Sequence, residues 1–196
     1  MNLFDKLCPI GLDNYGIITT ADAKALGISD KVMSTLVKSG RLSRRGYGVF
    51  KLAFYSSSDG LDRYAEAVAL AGRDARVNGE SVLAMLNLAL VNPATIEVAS
   101  PYRVRRTLPP WVRFVRIATS KTCAYYRGIP CQPLVEVLQS GTKTILPERL
   151  SSAVETATSE GWLSCEVPEL SQLDELLVRK RRLEHPLEEG LSAVSV

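Results

Sequence analysis

The sequence predicts an α+β fold, with short helices and a β-hairpin near the N-terminus and a longer region of mixed helices and strands after them. Segments with helical periodicity are bounded by capping residues and glycines. Other segments alternate apolar and polar residues, which is typical of half-buried strands. The length of 196 residues suits one full domain or two small ones.

Composition excludes several classes of protein. Hydrophobic residues make up 46% and charged residues 23% of the chain, as in globular proteins and unlike disordered chains. The longest apolar stretch, residues 82–91, is too short to cross a bilayer. Asp5 and Lys6 stand where a signal peptide needs an apolar core. We therefore expect a cytoplasmic protein with no membrane partner.

The cysteines and the histidine argue against metal and nucleophile chemistry. The four cysteines include no CxxC pair, and the single histidine, His185, is near the end of the chain. These spacings match no zinc site and no Ser-His-Asp arrangement. A disulfide between Cys123 and Cys131 is geometrically possible if they face each other on a hairpin, but free thiols are expected in a reducing compartment. We expect no metal and no cofactor, since glycine-rich phosphate loops are also absent from the sequence.

A metal-dependent nuclease is the enzyme that we considered. Such a site needs an upstream acid and then an acidic-x-Lys pattern on a strand, which together hold Mg²⁺ and polarise water. Glu97 lies on a predicted strand, with Asp74 and Glu80 upstream, but Ala99 stands where the lysine is required. Because the constellation is incomplete, we expect that the protein is not an enzyme.

The N-terminal segment predicts a series of short helices. Residues 2–15 and 30–39 have helical patterns, and each is followed by a glycine. Thr19 or Thr20 begins another helix, which Gly27 ends. Two short helices joined by a Gly-Ile-Ser turn predict a helix-turn-helix.

The helix over residues 30–39 has two faces. One is apolar and predicts burial, formed by Val32, Met33, Leu36 and Val37. The opposite face carries side chains that can contact phosphates or base edges, namely Lys31, Ser34, Thr35 and Lys38. A recognition helix needs this division, because one side fixes its angle while the other enters the major groove.

A hairpin is predicted directly after this helix. Leu42 and Val49–Leu52 indicate strands, and Ser43–Gly48 is predicted to be the turn between them. The glycines allow a tight backbone, and Arg44 and Arg45 are suited to phosphate or minor-groove contacts. This hairpin is the predicted wing of a winged helix-turn-helix.

The remaining chain alternates helices and strands. We predict strands over 95–100 and 112–118 and a hairpin that turns near 127–128. Helices are predicted over 61–73, from Glu80 or Ser81 to Pro93, and over 133–141, 147–161 and 168–184. On the first of these, Tyr64, Val68 and Ala71 share one face, and Arg63 and Glu66 lie on another.

Aromatic residues interleave with arginines in the predicted strands, as in proteins that bind single-stranded nucleic acid. They are Trp111, Phe114, Tyr125 and Tyr126. The same alternation describes a half-buried strand, and we favour a core role for them.

The charge distribution is uneven although the net charge is only +3. Residues 1–51 carry eight Lys/Arg and four Asp/Glu. Residues 98–135 contain no acidic side chain, and their cations, here called the second basic patch, are Arg103, Arg105, Arg106, Arg113, Arg116, Lys121 and Arg127. Two basic clusters on a nearly neutral chain indicate a polyanionic partner.

Three segments together resemble a known family: GIITTADAKALGIS, KVMSTLVKSGRL and SRRGYGVFKL. They are similar to the N-terminal winged helix-turn-helix of AbiEi-family antitoxins, which belong to type IV (abortive-infection) toxin–antitoxin operons of bacteria. A looser similarity continues through the Gly-Glu-Ser helix start, IEVASPYRVRR and GIPCQPLVEVLQSG. Together these matches cover most of residues 10–165.

The resemblance implies an antitoxin that also represses its own operon. Its DNA-contacting residues would be Lys31, Ser34, Thr35, Lys38, Arg41, Arg44, Arg45, Tyr47 and Lys51. The implied partners are the double-stranded DNA of the promoter and, directly or indirectly, a nucleotidyltransferase-like toxin. The second basic patch would contact DNA or serve the toxin-related role, and the sequence does not choose between these.

The predicted domains are a winged helix-turn-helix over 1–55, a mixed α+β antitoxin domain over 60–184 and a C-terminal tail over 185–196. A stand-alone winged-helix regulator with no antitoxin role is the alternative, because helix-turn-helix domains occur in many contexts.

Overall fold

The computed structural model describes residues 3–118 and 122–163. The helices within these ranges are α1 (Leu3–Asp13), α2 (Thr20–Ala25), α3 (Asp30–Lys38), α4 (Leu61–Ala71), α5 (Glu80–Met85), α6 (Leu134–Gly141) and α7 (Pro147–Ser159). The strands are β1 (Ile17–Thr19), β2 (Leu42–Gly46), β3 (Val49–Leu52), β4 (Arg76–Val77), β5 (Ile96–Ser100), β6 (Val112–Arg116), β7 (Ala124–Tyr126) and β8 (Ile129–Cys131).

Two sheets organise these elements, so the α+β class is as predicted. The first sheet has the order β1-β3-β2 and is antiparallel. The second has the order β6-β5-β4-β8-β7. It is mixed, because β5 with β6 and β4 with β8 run parallel while the other two pairs are antiparallel.

The first sheet differs in two ways from the predicted hairpin. Residues Ile17–Thr19, which the sequence left between helices, form a third strand along β3. Strand β2 continues through Arg44 and Arg45, so the turn is only Tyr47–Gly48. Arg44 pairs with Phe50 and Gly46 with Val49 where we expected a loop, and the ladder is irregular between Arg44 and Gly46.

Local signals account for the start of α2. Thr19 is the N-cap residue, and its side chain accepts a hydrogen bond from the Asp22 backbone N–H at 3.2 Å. The Asp22 carboxylate accepts in return from the Thr19 backbone N–H at 2.8 Å, which completes a capping box.

Helix α4 lies between the two sheets. Leu61, Ala65 and Leu70 belong to a core cluster that includes residues of the first sheet. Ala67 and Ala71 pack into a different cluster with residues of β5 and β6. Small side chains on this face let the helix approach the second sheet closely. A helix that we assigned to the second predicted domain therefore completes the core of both sheets.

The predicted helix from Glu80 to Pro93 is shorter than expected. It ends at Met85, and Asn87, Ala89 and Leu90 follow with positive φ. Leu88 and Ala89 are buried although they are not helical. Their apolar composition, which we took as helical, instead reflects a buried turn.

The later strands and helices agree with the prediction. Strands β5 and β6, the hairpin β7–β8 and the helices α6 and α7 all form at the expected places. The predicted final helix over 168–184 and the predicted tail lie outside the described residues. No helix in the described ranges has the length and apolar character needed to cross a bilayer.

Candidate nucleic-acid interface

Helix α3 presents the two faces that its sequence predicts. Met33 and Leu36 are buried, with Val32 and Val37 half-buried beside them in the same core cluster. The four polar residues of the opposite face are all exposed, namely Lys31, Ser34, Thr35 and Lys38. Since the buried side chains fix the rotation of the helix, these four point to solvent without competing for space in the core.

The hydroxyl groups of this face have a defined hydrogen-bonding state. Ser34 Oγ donates to the Asp30 carbonyl at 2.9 Å, and Thr35 Oγ1 donates to the Lys31 carbonyl at 3.0 Å. Each oxygen retains acceptor capacity after donating its proton. The two hydroxyl oxygens can therefore accept hydrogen bonds from donor groups, and the amino groups of adenine and cytosine are such donors in a major groove.

The hairpin places further polar side chains beside the helix. Tyr47 stands at the turn with 81% of its surface exposed. Arg44 is exposed, and its guanidinium lies over the Phe50 ring at 5.7 Å from the centroid. Arg41 is also exposed and lies over the Phe4 ring at 5.4 Å. Stacking of this kind orders a guanidinium while its charge stays accessible.

Two of the predicted hairpin contacts are engaged within the protein. Arg45 Nε lies 2.9 Å from Glu66 Oε1, and the Glu66 side chain is only 5% exposed. Lys51 Nζ lies 2.5 Å from Asp62 Oδ2, with 17% of the lysine side chain exposed. Both ion pairs join the hairpin to α4. The sequence placed Glu66 on a charged face with Arg63, whereas it is buried because Arg45 neutralises it.

The second basic patch divides into exposed and engaged residues. Arg103, Arg105 and Arg116 are exposed. Arg113 is 69% exposed and lies 3.6 Å from a Glu97 carboxylate oxygen. Lys121 lies outside the described residues.

Of the remaining two members of the patch, one lies in the β5–β6 loop and the other at the β7–β8 turn. Arg106 is half-buried and donates from Nη1 to the Tyr47 carbonyl at 2.8 Å. Arg127 is exposed at the β7–β8 turn with its guanidinium 5.9 Å from the centre of the Trp162 ring.

The structure brings parts of the two basic clusters together. An open cleft of about 990 Å³ is lined by Arg44 and Tyr47 of the hairpin together with Arg73 and Arg106. Sequence reasoning missed Arg73, whose guanidinium lies 4.8 Å from the centre of the Tyr102 ring. The sequence did hold one signal for Arg73, because it ends the helix predicted over 61–73 and cations are favoured near helix C-termini.

The aromatic residues of the second sheet mostly confirm a core role. Trp111, Phe114 and Tyr126 are half-buried and pack against the core clusters. Tyr126 also accepts a hydrogen bond at its hydroxyl from the Leu134 backbone N–H at 2.9 Å. Tyr125 differs, since it is 70% exposed.

The thiols within the described residues are free. Burial raises the pKa of the Cys131 thiol to about 12. Burial, followed by the charge of Asp5, also raises the pKa of Cys8. Since the thiolate is the nucleophile, both groups are poor nucleophiles near neutral pH.

A polar cavity of about 300 Å³ contains two of the acidic residues that were considered for a nuclease site. Glu80, Glu97 and Arg113 all line it, and the position where the pattern requires a lysine is occupied by Ala99, a buried residue of β5. Asp74 is elsewhere, exposed at 3.7 Å from Arg73. The described residues contain no group of three or more His, Cys, Asp or Glu placed to hold a metal ion.

Comparison with known proteins adds little to this geometry. No protein-family model and no curated protein matches the chain. Among solved structures, the chain is similar to the Rv2827c protein from Mycobacterium tuberculosis, with 16% identity and a TM-score of 0.40. The match covers 91% of this chain and 76% of that one. A likeness at this level does not identify a family.

Proposed function

We propose that the protein is a DNA-binding autorepressor and antitoxin of a bacterial toxin–antitoxin operon. The observation that supports this most strongly is the exposed polar face of α3 beside the arginine-bearing hairpin. In this proposal α2 and α3 are the helix-turn-helix, α3 is the recognition helix, and the hairpin β2–β3 is its wing.

Repression follows from occupation of the promoter. Lys31, Lys38, Arg41 and Arg44 contact phosphates, which gives salt-dependent affinity through counterion release. Ser34 and Thr35 face the base edges and contribute the sequence preference. Arg45 and Lys51 remain predicted contacts, but any phosphate that they bind competes with their ion pairs to α4.

The antitoxin part of the proposal rests on the sequence resemblance. It assigns to the region from residue 60 onward the counteraction of a nucleotidyltransferase-like toxin, directly or indirectly, in the cytoplasm. Arg103, Arg105 and Arg116 are exposed members of the second basic patch and are available in that region for DNA or for the toxin-related role.

The first experiment is a binding titration with the DNA upstream of the gene and with a scrambled duplex, over a series of salt concentrations. The variant Lys38→Ala/Arg44→Ala removes two exposed cations of the interface. Lys143→Ala/Arg149→Ala is the control, because it removes two exposed cations beyond β8. We expect the first variant to lower the salt slope by about two and to lose affinity, and the control to behave as the unmodified protein.

Equal binding to both duplexes would indicate a general polyanion binder instead of a repressor. An absence of binding by folded protein would overturn the DNA-binding proposal. Co-expression with a neighbouring nucleotidyltransferase-like gene tests the antitoxin part separately. Sequence-specific DNA binding without protection from that toxin would favour a stand-alone regulator.

A further inference from the structure

The loop between β5 and β6 reaches across to the hairpin turn. Arg106, in this loop, donates from Nη1 to the backbone carbonyl of Tyr47 at 2.8 Å. A hydrogen bond from a guanidinium is charge-assisted and stronger than a neutral one. The turn proposed to contact DNA is therefore held by a residue 59 positions away in the chain.

A space for this guanidinium exists at the end of α4. Gly72 follows the helix with φ +95°, a conformation that favours glycine. A Cβ built on Gly72 would overlap Arg106 Nη2. The position of the guanidinium is thus defined from two directions, by the end of α4 and by the hairpin turn.

The opposite side of the turn is held as well. The Thr20 backbone N–H donates to the Gly48 carbonyl at 2.8 Å. The backbone carbonyls of Tyr47 and Gly48 therefore both accept hydrogen bonds. The donor to Tyr47 is Arg106 in the β5–β6 loop, and the donor to Gly48 is Thr20 in α2. The Tyr47 side chain nevertheless remains 81% exposed. The arrangement restrains the backbone and leaves the side chain available.

We propose that Arg106 is a positioning residue of the DNA interface, which holds the Tyr47–Gly48 turn in one orientation before DNA binds. This inference rests on the proposed DNA-binding function. Ordering the turn in advance removes part of the entropy cost of binding. Arg106 then acts through Tyr47, whereas the sequence alone grouped it with cations that contact a polyanion directly.

The first test needs no DNA. Hydrogen–deuterium exchange is measured on the peptide that spans residues 43–50 in the free protein. Arg106→Met removes the charge and the donor but keeps an apolar stem, and we expect exchange at the turn to become about tenfold faster, as for the loss of one hydrogen bond to a charged group. Arg106→Lys restores a donor and should recover most of the protection. Arg105→Ala removes a neighbouring exposed charge and should leave this exchange unchanged.

The second test is the salt dependence of operator binding. A positioning residue predicts that Arg106→Met weakens binding by about the same factor at every salt concentration, with the salt slope unchanged. Arg106→Lys should recover the affinity. A direct phosphate contact predicts instead a slope lowered by about one.

Two outcomes would overturn the inference. One is unchanged exchange at residues 43–50 in Arg106→Met. The other is a salt slope lowered by about one in Arg106→Met, which would make Arg106 a direct phosphate contact. Failure of the unmodified protein to bind DNA is a different result, because it removes the proposed function while the exchange experiment still reports whether Arg106 holds the turn.

Discussion

The two basic clusters differ in how the fold uses their charge. On α3, Lys31 and Lys38 are exposed because the helix has one apolar face and one polar face. In the second basic patch, Arg106 and Arg113 contact other parts of the protein, while Arg103 and Arg105 are exposed. The number of cations in a stretch of sequence therefore does not by itself give the charge that a partner can reach. It does so where helical periodicity already shows which side chains are exposed, as on α3.

The hairpin lies between these two cases. Arg44 is exposed, whereas its neighbour Arg45 forms an ion pair with the buried Glu66. Arg45 lies in the irregularity between Arg44 and Gly46, where its side chain reaches α4. Arg44 pairs with Phe50 and places its guanidinium over the Phe50 ring. Adjacent arginines in a predicted wing are for this reason not equivalent candidates for DNA contacts.

The largest effect that we expect comes from the support of α3. Leu36→Ala removes a buried side chain of the cluster beneath this helix and should lower the free energy of unfolding by about 3 kcal/mol. Ser34→Ala on the exposed face should change it by less than about 0.5 kcal/mol. Urea denaturation of both variants measures the difference. Equal effects would mean that the two faces are not divided as described.

An intermediate effect is expected for the ion pair between the hairpin and α4. Glu66→Ala leaves the Arg45 guanidinium without its partner and should cost about 1–2 kcal/mol, less than a fully buried pair because the arginine side chain is 43% exposed. A double-mutant cycle with Arg45→Ala isolates the coupling from other effects of each substitution. A coupling near zero would return Arg45 to the set of cations available to DNA.

Local sequence predicted the elements that depend on local signals. The faces of α3, the capping of α2 by Thr19 and the hairpin β7–β8 follow from residues within a few positions of each other. Strand β1 could not be found in this way, since its three residues form a strand only by pairing with β3, about thirty positions later. The end of α5 was missed because buried turns and buried helices share the same apolar composition.

The candidate site shows the same limit. The exposed polar face of α3 was predicted correctly, because helical periodicity alone determines it. The engagement of Arg45, Lys51 and Arg106 was not predicted, because their partners lie in α4 and in the hairpin turn. Nothing local in the sequence distinguishes an arginine that contacts a distant carbonyl from one that faces solvent.

The smallest effect is expected for the ion pair in the second basic patch. Arg113 and Glu97 lie on adjacent parallel strands with side chains 69% and 23% exposed, and their closest atoms are 3.6 Å apart. Solvent screens such a pair, so a double-mutant cycle of Arg113→Ala and Glu97→Ala should give a coupling below about 0.5 kcal/mol.

Glu97→Ala alone should cost more than Arg113→Ala, because the Glu97 carboxylate also accepts a hydrogen bond from the Asn78 side chain at 2.6 Å. Thermal denaturation of the two single variants and the double variant measures all three values. A coupling as large as that of Arg45 and Glu66 would mean that Arg113 is committed to the fold. A weak coupling leaves Arg113, with Arg103, Arg105 and Arg116, among the cations that a polyanionic partner can reach.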